Sequence, residues 1–149
     1  MAKSLDWGIL EGSVGPRVRL LRNALSARSI AVSAPHGLPT GSLTVLALIA
    51  ANPGSSQTAL ASRAGLNKSA LVGIIDQLEQ RALVERDRAA SDRRRYQVSV
   101  TREGEKAMMT LFAAVDRQER DIRDVFGKRD MIQLLELLDR AILALESRP

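Results

Sequence analysis

Cysteine is absent from the 149 residues, and histidine occurs once, as His36. The chain therefore cannot form a disulfide or use a thiolate as a nucleophile or redox sensor. The same shortage disfavours a zinc site built from cysteine and histidine, so we expect no metal and no cofactor. One Trp, one Tyr and two Phe are too few for a platform on which single-stranded bases stack.

Long apolar runs are missing as well. No stretch reaches the roughly 18 residues of a membrane-spanning helix, and residues 1–7 lack the long apolar core of a signal peptide. We therefore expect a cytoplasmic protein that is not associated with a membrane.

Charge is distributed unevenly along the sequence, whose net charge is +5. Residues 31–54 carry no charged side chain, whereas residues 86–95 contain five Arg and two Asp. A concentrated basic patch attracts polyanions such as nucleic acid. An isolated arginine run is more often a solvated surface, so its interpretation depends on the elements that precede it.

Helical periodicity accounts for most of the chain. We predict a helix over about 15–32, a loop over 33–41, and a short, nearly uncharged and therefore buried helix over 43–51. After residue 101, which can cap the next helix, one helix continues to a stop at Phe126-Gly127, and a last helix follows.

The middle of the sequence has the order helix, turn, helix, basic hairpin. A short helix over 56–64 meets Gly65, a second helix runs from Asn67 to about residue 80, and the arginine-rich segment 86–95 leads into a return strand over 96–101. This order is the plan of a winged helix-turn-helix, in which the second helix enters the major groove of duplex DNA.

Spacing separates the two faces of the second helix. Leu71, Ile74, Ile75 and Leu78 recur at helical intervals and should face inward. Val72, on the other face, can contact a thymine methyl, and Gly73 can allow close backbone approach to DNA. The alternative is that Val72 and Gly73 pack against the neighbouring helix. The predicted DNA-contacting residues of the two helices are Ser56, Gln57, Asn67, Lys68, Ser69, Val72, Gly73 and Gln77.

The hairpin supplies the second set of predicted DNA-binding residues. An arginine near its tip can enter the minor groove, where the potential is most negative. Asp92, two residues before Arg94, can hold that side chain in place by a charge-assisted hydrogen bond. The predicted residues are Arg86, Arg88, Asp92, Arg93, Arg94 and Arg95.

Apolar seams on the terminal helices need a partner surface. In a monomer that surface is the protein's own core, but a homodimer is favoured because it would also place two recognition helices about one DNA turn apart. We therefore predict a helical dimerisation region over 1–35 and 103–149, with a DNA-binding domain over 36–102. The predicted dimerisation residues are Val18, Leu21, Leu25, Met131, Leu134, Leu135, Leu138, Ile142 and Leu145.

These motifs resemble the MarR family of bacterial transcriptional regulators. The resemblance is carried by residues 60–69 and 76–86, by Asp92-Arg93-Arg94, and by Val100-Thr101 with Gly104. It implies a mainly α fold with a small β-hairpin wing and a homodimer bound to a palindromic operator. It also implies release of the DNA by a small, often aromatic and anionic ligand, and placement of Arg94 in the minor groove with Asp92 orienting it.

The sequence thus predicts a DNA-binding transcriptional regulator, most simply a cytoplasmic, nucleoid-associated repressor that a small molecule releases. The alternative is a winged helix used for protein or RNA interaction, without operator binding. An enzyme is disfavoured because no nucleophile, phosphate loop or catalytic triad can be recognised. His36 is the candidate for hydrogen-bonding an acidic effector, although a lone loop histidine is more often merely solvated.

Overall fold

A computed structural model describes the backbone of residues 5–89 and 92–146, and the side chains of these residues except 87–96. This part of the chain forms helices and one antiparallel two-stranded sheet, so the predicted mainly α fold with a β-hairpin wing is confirmed. The elements are α1 Val14–Ser33, α2 Ser42–Ala51, α3 Gln57–Arg63, α4 Lys68–Gln80, β1 Val84–Ala89, β2 Asp92–Val100, α5 Arg102–Gln118 and α6 Arg120–Glu146.

The chain divides into two compact units, Met1–Phe112 and Ala113–Pro149. The division falls inside α5, whereas the sequence-based domain boundary lies at residues 102–103. Within the first unit the core is aliphatic, as the scarcity of aromatic residues requires. The hydrophobic residues that are at most 2% exposed are Val45, Leu46, Ile49, Leu71, Ile75, Leu78, Val84 and Leu111.

The uncharged helix α2 lies in this core, as its composition predicts. Val45, Leu46 and Ile49 are at most 2% exposed. The helix ends at Ala51, where Asn52 precedes Pro53 and Gly54. Because proline and glycine cannot extend a helix favourably, this stop is a local property of the sequence.

The hairpin differs from the sequence-based prediction at its return strand. β2 begins at Asp92, four residues earlier than predicted, so Arg93, Arg94 and Arg95 lie within the strand and not before its first residue. Arg88 pairs opposite Tyr96, and the register shifts between Arg88 and Ala89. Asp92 lies opposite Ala89, so pairing with β1 places the start of β2 in a charged segment that β propensity alone would leave in a loop.

A tight joint formed by Thr101 and Gly104 connects the wing to α5. The Thr101 hydroxyl donates to the carbonyl oxygen of Ala82 at 2.6 Å and accepts from the backbone N–H of Gly104 at 3.0 Å, which confirms the predicted cap. A Cβ added to Gly104 would lie 1.9 Å from the carbonyl oxygen of Leu83. The joint therefore requires glycine to bring α5 against the segment that links α4 to the wing.

The second unit contains α6, which is interrupted at Gly127 (φ 68°, ψ 176°), as predicted. The single helix predicted up to that stop is instead divided, because α5 ends at Gln118 and α6 begins at Arg120. None of the residues of α6 is buried, although the helix is rich in leucine. Arg123 pairs with Asp116, and its Nη2 lies 3.6 Å from Oε2 of Glu119, so one guanidinium joins two carboxylates in this unit. The hydrogen bond that the Arg123 guanidinium donates to the Asp116 carboxylate raises the pKa of Arg123 above its usual value.

Candidate nucleic-acid interface

Helix α4 buries one face and leaves the other open. Ile74 is 7% exposed, and Leu71, Ile75 and Leu78 are completely buried, which confirms the predicted inward face. Lys68, Ser69 and Gln77 are exposed on the other side, and Val72 and Gly73 are half-buried there. The part of α4 that would meet a DNA groove is therefore polar, with one apolar side chain and one glycine.

Gly73 faces open space. A Cβ at this position would meet no atom within 4 Å, so packing against a neighbouring helix does not account for this glycine. Alanine would stabilise the helix by about 1 kcal/mol relative to glycine. The absence of a side chain at this position therefore lowers the stability of the free protein.

Two side-chain caps begin the helices of the motif. The Ser56 hydroxyl oxygen accepts from the backbone N–H of Ala59 at 3.2 Å, and Asn67 Oδ1 accepts from that of Ala70 at 2.8 Å. Both capping residues are exposed, and in each cap the side-chain oxygen acts only as an acceptor. The Ser56 O–H and the Asn67 side-chain N–H groups can therefore donate to phosphate oxygens. Gln57, next to Ser56, is half-buried.

Arg86 does not stand free on the wing, as its inclusion among the DNA-contacting residues had assumed. Its guanidinium pairs with Asp76 and also contacts Glu79, with 2.8 Å between Nη1 and Oε2. The side chain of Arg86 is only 24% exposed. Sequence reasoning missed this arrangement, although the one-turn spacing of Asp76 and Glu79 is a signal for two carboxylates on one helix face.

Along residues 97–100 of the wing, buried and exposed side chains alternate. Val98 is buried and Val100 half-buried, whereas Gln97 and Ser99 are exposed, so alternate residues of the strand form one packed and one open face. The backbone of residues 86–89 lies in β1 and that of residues 92–95 in β2. The predicted contacts of Arg88, Asp92, Arg93, Arg94 and Arg95 involve side chains outside the described residues.

His36 lines a pocket of about 270 Å³ in the first unit. The Arg81 guanidinium borders the same pocket and donates to the carbonyl oxygen of His36 at 3.2 Å. Leu38, Leu83 and Leu111 give the pocket an apolar lining. An imidazole and a guanidinium beside an apolar lining suit a small carboxylate with an apolar body. No sequence pattern had indicated Arg81 as part of this site.

A larger groove, of about 440 Å³, runs along α1 in the same unit. It is lined by Val18, Leu21 and Leu25, which were predicted to form a dimer interface, and by Arg22 as its cation. Val18 and Leu21 are 46% and 42% exposed. The predicted interface residues of α1 are therefore accessible in the single chain.

The described residues were also searched for a metal site and for a membrane-spanning helix. Among residues 5–89 and 92–146, no three His, Asp or Glu side chains come close enough together to hold a metal ion. A search of the helices in those ranges finds none with the length and apolar character needed to cross a membrane.

Comparison with known proteins agrees with this geometry. The sequence profile of the MarR family matches residues 36–95. A Thauera aromatica protein, described as a transcriptional regulatory protein for the hcr operon, is 34% identical over 136 residues, or 89% of this chain and 81% of that protein. The transcriptional repressor CouR bound to a 23-mer DNA duplex is 28% identical, with a TM-score of 0.79, over 93% of this chain and 99% of its own.

CouR from Rhodococcus jostii RHA1 bound to p-coumaroyl-CoA is likewise 28% identical, with a TM-score of 0.76, over 89% of this chain and 94% of that one. Identity and structural agreement of this extent cover the winged helix-turn-helix and also most of the helices outside it. The chain therefore belongs to the MarR family of transcriptional regulators.

Proposed function

We propose that this protein is a transcriptional repressor that binds a palindromic operator as a homodimer and leaves it when a small aromatic ligand binds. The open polar face of α4, next to a hairpin with five arginines, is the observation that carries the proposal. It is supported by the similarity to CouR bound to a DNA duplex. The protein acts through binding rather than catalysis, and operator binding would place it on the nucleoid in the cytoplasm.

The recognition helix would contact bases through its N-terminal half. Lys68 and Ser69 supply donors for phosphates or base edges, and Gln77 extends the polar face. Val72 offers a methyl contact to thymine, and Gly73 allows the helix backbone to come close to the groove. Ser56, Gln57 and Asn67 would position the motif on the phosphate backbone without reading sequence.

The wing would add minor-groove contacts through Arg94, supported by Arg88, Arg93 and Arg95. Arg94→Ala is expected to weaken operator binding by about 1–3 kcal/mol, the usual cost of losing one good DNA contact. Asp92→Ala should also weaken binding, although it removes a negative charge, because Asp92 orients Arg94. Fluorescence anisotropy with duplex DNA from upstream of the protein's own gene measures both effects.

Arg19→Ala is the charge-matched control, since Arg19 is exposed on α1 and lies outside the motif. Excess RNA should not displace the duplex. Displacement by RNA would favour the RNA-binding alternative, and tighter binding by the Asp92 variant would show that Asp92 does not orient Arg94.

A ligand response is supported by the similarity to CouR bound to p-coumaroyl-CoA. The His36 pocket is the smaller of two candidate sites, and the α1 groove is the larger. We assign the carboxylate of an aromatic acid to His36 and Arg81, because a guanidinium forms strong charge-assisted hydrogen bonds with carboxylates. The test is to titrate p-coumarate into the protein–DNA complex and, in parallel, p-coumaroyl-CoA, whose thioester lacks that carboxylate.

Arg81→Gln is expected to raise the ligand concentration for half-release about tenfold, which corresponds to loss of one charge-assisted hydrogen bond. His36→Ala should act in the same direction. Arg22→Gln, in the α1 groove, is the matched control and should have no effect. An effect of Arg22→Gln without an effect of Arg81→Gln would place the ligand in the α1 groove. If neither compound releases the DNA, aromatic acids and their CoA thioesters are excluded as ligands.

A further inference from the structure

The Arg86 cluster, defined as Arg86 with Asp76 and Glu79, joins the two elements that are proposed to contact DNA. Arg86 belongs to β1 of the wing, and the two acids belong to the C-terminal half of α4. The guanidinium nitrogens Nη2 and Nη1 are directed to separate carboxylates, Asp76 and Glu79 respectively. The Nε of Arg86 is buried as well, without a hydrogen-bond partner among the described residues.

We propose that Arg86 is a positioning residue that fixes the angle between the recognition helix and the wing, and that it does not contact phosphate. This inference rests on the proposed function, because positioning matters only if both elements meet one duplex. Its basis is the geometry: both terminal nitrogens of Arg86 face protein carboxylates.

Guanidinium is the group that suits this role. Its planar fork presents donors in fixed directions, so one side chain can hold two carboxylates one helical turn apart. A lysine ammonium is a point charge on a flexible stem and cannot fix the same geometry. The cluster also neutralises part of the negative charge that Asp76 and Glu79, 46% and 38% exposed, would otherwise present beside DNA.

The two possible roles of Arg86 predict opposite results for Asp76→Asn. If Arg86 bound phosphate directly, removing a nearby carboxylate would free its guanidinium and tighten DNA binding. If Arg86 positions the wing through Asp76, the near-isosteric amide loosens the cluster and weakens operator binding. We expect weakening by about tenfold, a modest value because Asp76 is partly exposed to solvent.

Salt dependence provides a second discrimination. Arg86→Met keeps the apolar stem and removes the charge. For a dimer, loss of two phosphate contacts would reduce the log-log salt slope by about 2. Loss of a positioning residue should lower operator affinity whether or not the slope changes, because a displaced wing can lose contacts of its own, so the lysine variant separates the two roles. Arg86→Lys should restore affinity only if charge alone matters, so we expect Lys to fail. Arg19→Met is the charge-matched control.

Hydrogen exchange of the free protein tests the cluster without DNA. In Arg86→Met and in Asp76→Asn, the amides of residues 84–86 and 97–100 should exchange about tenfold faster, while those of α2 stay unchanged. Circular dichroism checks that each variant folds. If the wild type fails to bind operator DNA, the proposed function fails, but the exchange result still decides whether the cluster holds the wing. A reduced salt slope with rescue by lysine, or unchanged exchange, would overturn the proposal.

Discussion

Replacing Leu138 and Ile142 together by glutamate is expected to convert the protein from a dimer to a monomer. In the single chain these side chains are 37% and 42% exposed, and no residue of α6 is buried. Substitutions at such exposed positions of a monomer usually change stability by less than about 0.5 kcal/mol. In a dimer that covers the seam, four unpaired carboxylates would be buried at high cost.

The monomer should lose operator affinity by about 10²- to 10⁴-fold, because the two half-sites no longer bind as one linked unit. Analytical ultracentrifugation of the wild type and the double variant at micromolar concentration measures the oligomeric state, and anisotropy measures the affinity. The wild-type salt slope should be about −5 to −9, for roughly 6–10 phosphates neutralised by two copies.

Gln133→Glu with Ala144→Glu is the matched control. Both positions are exposed on α6, and helical periodicity places them away from the seam of Leu138 and Ile142. This control adds the same charge to the same helix and should leave the dimer intact. A wild-type monomer that bound the palindrome at full affinity would contradict the dimer.

Gly104→Ala is expected to destabilise the protein by about 3 kcal/mol or more, at the upper end of the usual cost of overpacking. The added Cβ would lie 1.9 Å from the carbonyl oxygen of Leu83 and 2.7 Å from Cγ1 of Val100. The closest of these contacts is backbone, which cannot move without breaking the hydrogen bond from the Thr101 N–H to the same oxygen, 3.1 Å long. Urea denaturation followed by circular dichroism measures the change.

Gly73→Ala is the control for this substitution. Its Cβ would meet nothing within 4 Å, so helix propensity should raise stability by about 1 kcal/mol. The same variant should bind the operator more weakly if the α4 backbone approaches the groove. A stable Gly104→Ala protein would show that the joint tolerates a side chain and that the spacing between wing and α5 is adjustable.

The helices could be predicted from sequence because their causes are local. Asn67 caps α4 through its own side chain, and Thr101 caps α5 in the same way. The inward face of α4 follows from a 3.6-residue period that four aliphatic residues satisfy. The interruption of α6 at Gly127 and the end of α2 before Pro53 and Gly54 are likewise determined by one or two residues at each position.

The β-hairpin was less predictable because a strand depends on its partner. The start of β2 at Asp92 rests on pairing with β1 and not on the propensity of an arginine-rich segment. The same limitation applies to Arg86. Five arginines in one segment suggest five cations that are accessible to DNA. Arg86 is instead largely buried, and its guanidinium pairs with two carboxylates on α4.

By itself, the sequence determined the element types, the faces of α4, the winged helix-turn-helix order and the family resemblance. These follow from hydrophobic periodicity, capping and turn chemistry, which act over a few residues. Only the tertiary structure decided that Arg86 pairs with α4, that Arg81 borders the His36 pocket, and that Gly104 allows the contact with Leu83. These features depend on distances between segments brought together by folding, which residue spacing does not encode.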